Sequence, residues 1–151
     1  MTEKQKLYLN RLYDELYVRL TDPLDKAIFF RLCHQLQQYY KGIAKSKTVE
    51  KAEMLNYLVG VGLVQKRSNG ELPDFRPIRE RQRMLLRRGY PILTSSTATG
   101  AWISDEVNEI EPLQKENRKR GVSVMEADKG YNMAKQFIQG QMRMELEEQV
   151  S

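Results

Sequence analysis

Apolar positions recur at helical spacing over most of the chain, and only in one place do they contract into short unbroken runs. Leu9, Leu12, Tyr13, Leu16, Tyr17 and Leu20 fall at the i, i+3, i+4, i+7 intervals of one helical face, which predicts an amphipathic helix over residues 3–20. Thr2 followed three residues later by Gln5 supplies a capping box for it. The pattern breaks at Thr21-Asp22-Pro23, where Asp22 can cap a second helix and Pro23 can occupy its first position. Ile28, Phe29, Leu32, Cys33, Leu36, Tyr39, Tyr40 and Ile43 then carry an apolar face to about Ile43. Two such helices joined by a short turn predict an antiparallel helical hairpin.

A third helix follows the polar joint at 44–47, with Thr48 as cap and Ala52, Leu55, Leu58 and Val59 as its apolar positions; Gly60-Val61-Gly62 ends it. Residues 63–73 lose periodicity, and Ser68-Asn69-Gly70 marks a turn. A helix-turn-helix would need either a further helix here or the third helix as its supporting element. Both options stand on sequence alone.

The next helix opens at Asp74 as N-cap with Pro77 in its first turn, and stops at Arg88-Gly89, where glycine suits a left-handed C′ position. At about 100° per residue, Phe75, Ile78, Gln82, Leu85 and Leu86 share an apolar sector. Arg76, Arg79, Arg83 and Arg87 share the adjacent one, Arg81 and Arg88 lie on the other flank, and Glu80 and Met84 fall between. Two short apolar runs come next, Tyr90-Pro91-Ile92-Leu93 and Ala101-Trp102-Ile103, separated by the uncharged TSSTATG. They read as a two-stranded hairpin.

The tail is helical again. Ser104 begins an acidic, cappable stretch, Pro112 is expected to start a helix carrying Lys115, Arg118, Lys119 and Arg120, and Gly121 interrupts it. A capping box at Ser123 and Glu126 starts a last helix running to about Glu147, with Val124, Ala127, Tyr131, Ala134, Ile138 and Met142 on one face. That spacing fits packing on another helix, within the chain or across a dimer. Gly130 and Gly140 should weaken the helix by about 1 kcal/mol each relative to alanine. Three regions are thus expected: a helical hairpin over 1–45, a central module over 46–104, and a helical extension over 105–151.

Charge sharpens the middle. The 151 residues carry a formal net charge of +5. Residues 1–59 hold +3, residues 60–103 hold +5 and residues 104–151 hold −3. The basic block coincides with the arginine helix, whose six arginines against one glutamate depart from the mixed salt-bridging pairs of an ordinary exposed helix. An arginine stripe of this width suits a major groove, where arginine pairs with guanine edges and reaches phosphates.

Chemistry of other kinds is thin. Phosphate-loop, dinucleotide and zinc-protease motifs are missing, and no cofactor or metal is expected. Cys33 and His34 are adjacent on one helix and cannot face each other as nucleophile and base, so no catalytic residue is assigned. Glu106, Glu109 and Glu111 read as an acidic helix start rather than a metal site. Tyr8, Tyr13, Tyr17, Tyr39 and Tyr40 are read as core or interface; as exposed stacking platforms they would point to RNA. One cysteine, no signal-peptide pattern and no apolar run near membrane-spanning length lead to the expectation of a cytoplasmic protein without a membrane partner.

Residues 83–103, RMLLRRGYPILTSSTATGAWI, resemble the end of winged-helix modules from bacteriophage and prophage proteins. Those carry leucine, arginine, any residue, glycine and Tyr-Pro-Ile, followed by a serine-rich turn and an aromatic-bearing strand. The resemblance implies that the helix before Gly89 is a recognition helix and the hairpin a wing. It further implies a small replication or regulatory protein that binds double-stranded DNA, with Arg118-Lys119-Arg120 in a final basic helix. The fold expected is therefore mainly α, with a winged-helix-like module between helical extensions that could pair two copies. Arg76, Arg79, Arg83 and Arg87 are the expected first contacts. Lys66, Arg67 and the hydroxyls of Ser95, Ser96, Thr97 and Thr99 are expected on the DNA backbone. The alternative is a protein-binding adaptor or inhibitor whose basic helix meets an acidic partner.

Overall fold

The computed structural model describes residues 1–94, 99–120 and 124–140. The expected wing-tip hydroxyls Ser95, Ser96 and Thr97, the expected cap Ser123, and Met142 with the other residues expected to carry the last helix to about Glu147 lie outside them. The chain is mainly helical with a small three-stranded antiparallel sheet, in which Gly100–Ile103 lies between Val49–Glu50 and Ile92–Thr94. It divides into two compact units, one built from residues 1–81 and 94–103, the other from 82–93 and from 104 onward.

In the first unit, α1 (Glu3–Arg11) is opened by the expected capping box: Gln5 N–H donates to Thr2 Oγ1 at 3.1 Å and Thr2 N–H to Gln5 Oε1 at 2.9 Å. The helical path continues to residue 19 but not as one regular helix. Leu12–Leu16 form a π-helical turn and Tyr17–Arg19 a 3₁₀ turn. Leu12, Leu16 and Leu20 stay buried through the change of pitch, so the apolar spacing looks continuous in sequence. Asp22 caps α2 (Pro23–Tyr40), its Oδ1 accepting from Leu24 N–H at 2.8 Å and Asp25 N–H at 3.2 Å. The helix ends three residues earlier than the apolar pattern implies. Gly42 takes φ +75°, Gly42 N–H returns to the Tyr39 carbonyl and Ile43 N–H to that of Gln38, a Schellman closure that leaves Ile43 exposed.

Thr48 is not the cap of the third helix. Val49–Glu50 form a short strand, β1, and Glu50 caps α3 (Lys51–Gly60), its N–H donating to Glu53 Oε1 at 3.3 Å. Val49 pairs with Ala101 and Glu50 with Gly100, antiparallel, in β3 (Gly100–Ile103). Gly100 is required there: a Cβ would sit 2.0 Å from the Val49 carbonyl oxygen. A single buried valine gave no strand signal, because the partner strand lies some fifty residues later. In α3, Met54, Leu55 and Leu58 face the core while Ala52 is exposed. Helix α2 is the centre of this unit, packing against α1, α3, β1 and β3 with Ile28, Phe29, Leu32, Cys33 and Leu36 fully buried.

No helix occupies residues 61–75. A turn there is tied by Gly70 N–H to the Arg67 carbonyl at 2.8 Å and Arg67 N–H to that of Glu71 at 2.9 Å. Helix α4 (Arg76–Arg87) follows, with Asp74 Oδ1 accepting from Arg76 N–H at 3.1 Å. A Schellman closure ends it: Gly89 at φ +91° donates to the Leu86 carbonyl and Tyr90 N–H to that of Leu85. Strand β2 (Ile92–Thr94) comes directly after.

In the second unit, α5 (Val107–Lys119) begins five residues before Pro112, which lies inside the helix instead of starting it. The earlier start is set at Ser104, buried, whose Oγ donates toward the Glu106 carbonyl (3.0 Å) and Glu109 Oε1 (2.9 Å), with Glu106 as N-cap. Helix α6 (Val124–Gln139) packs on α5, joined by Arg118 to Asp128 at 2.8 Å and by Gln114 Nε2 to Asn132 Oδ1 at 3.0 Å. Ala134 and Phe137 are buried, while Ala127, Tyr131 and Ile138 are half-buried; Phe137 lies off the predicted face. Gly130 marks a close crossing, since a Cβ there would lie 2.3 Å from the Leu86 carbonyl oxygen.

Candidate nucleic-acid interface

Helix α4 partitions as its sequence demands. Ile78, Gln82 and Leu85 are buried, with Phe75 just ahead of the helix and Leu86 half-buried beside them. Around the helix, Arg76, Arg83 and Arg87 are exposed, and Arg79 is half-buried with its guanidinium 5.8 Å from the Phe75 ring centroid. At about 100° per residue these four occupy one continuous sector of the α4 surface.

The off-stripe arginines do different work. Arg81 Nη1 lies 2.9 Å from Asp22 Oδ1 and 3.3 Å from Asp25 Oδ1, tying α4 to the first turn of α2. Hydrogen bonding from Arg81 holds the Asp22 carboxyl below its ordinary range. Arg88 stacks over Tyr90 at 5.4 Å. Elsewhere Arg11 pairs with Glu15, Arg31 with Glu53, Arg118 with Asp128 and Arg120 with Glu116. Among the described residues, Arg76, Arg79 and Arg87 form no ion pair. Met84, also exposed, lies between the stripe and the Arg88 flank.

The other expected contacts divide. Lys66 and Arg67 are exposed on the 61–75 segment. Thr99 is exposed, but its carbonyl accepts from Lys51 N–H at 3.1 Å and so continues the pairing of β1 with β3. Ser95, Ser96 and Thr97 lie outside the described residues.

Remaining chemistry is confined to a few groups. Cys33 is fully buried and burial pushes its thiol well up, so it is held as a neutral core side chain. Tyr13 is pushed up to about 12, chiefly by burial, and packs with Tyr17 and Phe30 at ring separations of 6.0 and 6.3 Å. Tyr8 is buried, Tyr17 and Tyr40 half-buried and Tyr39 exposed. Carboxylate oxygens of Asp105, Glu106 and Glu109 lie within 4.8 Å of one another at the start of α5, where negative charge complements the helix N-terminus. Asp105, rather than the exposed Glu111, completes this cluster.

No protein-family model, curated protein or solved structure matches the chain.

Proposed function

We propose that the chain binds double-stranded nucleic acid, with DNA as the preferred form, through the arginine stripe of α4. The observation that carries this is the contrast on one helix: Arg81 is paired twice with carboxylates, whereas Arg76, Arg79 and Arg87 have no carboxylate partner among the described residues. Guanidinium groups in such a row match phosphates and guanine edges in geometry and charge. The order of elements supports a winged-helix-like module, with α3 as the supporting helix, α4 as the recognition helix and the β2–β3 hairpin as the wing. The pairing of β1 with β3 would then anchor the wing's second strand. Lys66 and Arg67 would bind backbone. A phage or prophage replication or regulatory protein is the setting that fits the 83–103 resemblance.

The test is a fluorescence titration of labelled duplex DNA by the full chain at several salt concentrations. Arg76→Ala with Arg87→Ala should weaken binding at least tenfold and flatten the slope of log affinity against log salt by about 1.8, roughly 0.9 for each phosphate no longer neutralised. A base-reading arginine would in addition relax specificity, at about 1–3 kcal/mol. Unchanged affinity and slope would refute the assignment. An acidic protein partner, with no DNA affinity at ~100 mM salt, would favour the adaptor function instead.

A further inference from the structure

One arginine of the α4 stripe is held differently from its neighbours. Phe75 stands immediately before the helix, and its carbonyl accepts from both Ile78 N–H and Arg79 N–H at 3.0 Å, which fixes its backbone to the first turn. Arg79, four residues on, is its neighbour along the helix surface and carries its guanidinium over the Phe75 ring, 5.8 Å from the centroid. Both residues are half-buried. Arg76 and Arg87 are exposed, and among the described residues they make neither an ion pair nor a ring contact. We propose that Arg79 is the specificity-determining residue of α4, reading a guanine edge in the major groove, and that Phe75 is the residue that positions it.

The five N–H donors of a guanidinium lie in its plane, so stacking one face on a ring leaves the donor edge free. Among the described residues, no carboxylate or hydrogen-bond acceptor takes that edge of Arg79. The ring beneath it restricts the plane of the fork before any ligand arrives. For phosphate this restriction matters little, because its tetrahedral oxygens can be approached from many directions. For guanine it matters more, since O6 and N7 accept side by side in one plane and need a coplanar fork. Arg76 and Arg87, without such a platform, suit the phosphates. Arg88 also stacks, on Tyr90 at 5.4 Å, but it lies on the other flank of the apolar face and off the stripe. In sequence Phe75 reads only as one position of the apolar sector; its contact with Arg79 gives it a second task.

This proposal rests on the nucleic-acid function of α4, and the experiment separates the two. Duplexes selected by the wild-type chain from a random pool are titrated beside the same duplexes carrying 7-deazaguanine, which pairs normally but lacks the N7 acceptor. Wild type should bind the guanine form about tenfold more tightly, the scale of one bidentate contact. Arg79→Lys keeps the charge and loses the fork, so that ratio should fall to near one with the salt slope unchanged. Phe75→Leu removes the ring and should cut the ratio by about threefold, whereas Phe75→Tyr, which keeps the ring, should retain it. Arg76→Ala should do the opposite, lowering the salt slope by about 0.9 and leaving the ratio alone. A wild-type ratio of one, or a ratio that survives Arg79→Lys, overturns the assignment of Arg79, and the stripe still stands if Arg76→Ala with Arg87→Ala weakens binding. A ratio that Phe75→Leu leaves intact, or that Phe75→Tyr loses, overturns the positioning role of the ring.

Discussion

Replacing Gly130 by alanine should destabilise the protein, although helix propensity alone says the reverse. An alanine in mid-helix is better than glycine by about 1 kcal/mol. Here the added methyl would lie 2.3 Å from the Leu86 carbonyl oxygen, 2.7 Å from Arg87 Cα and 3.0 Å from the Leu86 carbonyl carbon. Close C···O approaches in proteins are about 3.3 Å or longer, so α6 must retreat from α4 by roughly 1 Å. All three obstructing atoms are backbone, and no side chain can rotate away. Overpacking of this kind costs about 1–3 kcal/mol, and the rigid obstruction puts this case at the upper end. After the propensity gain the net loss is about 2 kcal/mol, which for a chain of this size lowers Tm by roughly 4–8 °C. Gly60→Ala is the control. It lies at the end of α3 with nothing within 4 Å and no left-handed backbone, so it should gain up to about 1 kcal/mol. Thermal melts of both variants, with amide exchange along α6, decide the matter. A Gly130→Ala protein that melts at or above wild type would refute the close crossing of α6 on α4.

Two further outcomes follow from the same helix. Gln82 is 2% exposed and its Oε1 has no hydrogen-bond partner among the described residues, so Gln82→Met should stabilise the chain by about 1 kcal/mol in urea denaturation; a loss of similar size would mean that the carbonyl is paired. Arg81→Met removes the partner that depresses Asp22, whose contribution is present above the ordinary carboxylate range and fades as pH falls through the lowered value. The stability gap between wild type and Arg81→Met should therefore be widest near neutral pH and close in acid, and a gap independent of pH would sink that linkage.

The helices were legible where a whole face is apolar and a cap is chemically explicit. Thr2 with Gln5, Asp22 before Pro23, and Gly89 after Arg88 all act in the structure as their chemistry predicts. What escaped depends on partners distant in sequence. Val49 becomes a strand because Ala101 accepts it, and Pro112 falls inside a helix because Ser104 and Glu106 start that helix earlier. The π-helical turn at Leu12–Leu16 left no trace, since the leucines on either side of it are buried alike. The α4 stripe was fully visible from helical periodicity. The role of Arg81 was not, because Asp22 and Asp25 lie more than fifty residues upstream.

The stripe works against the helix that bears it. Arg76 and Arg79 stand three apart, Arg79 and Arg83 four apart, and Arg83 and Arg87 four apart. Like charges at these spacings destabilise a helix by roughly 0.2–0.5 kcal/mol per pair, so the three pairs together oppose folding by about 1 kcal/mol. Glu80, the one carboxylate within α4, offsets part of this. The helix dipole favours Arg87 near the C-terminus but disfavours Arg76 at the first position, by about 0.3–1 kcal/mol in each case. Arg76 is also exposed and without an ion pair among the described residues. Of the four stripe positions it is thus the one that folding explains least. Arg76→Ala should leave stability unchanged or slightly raised, so any affinity that falls with it belongs to the ligand and not to a weakened fold.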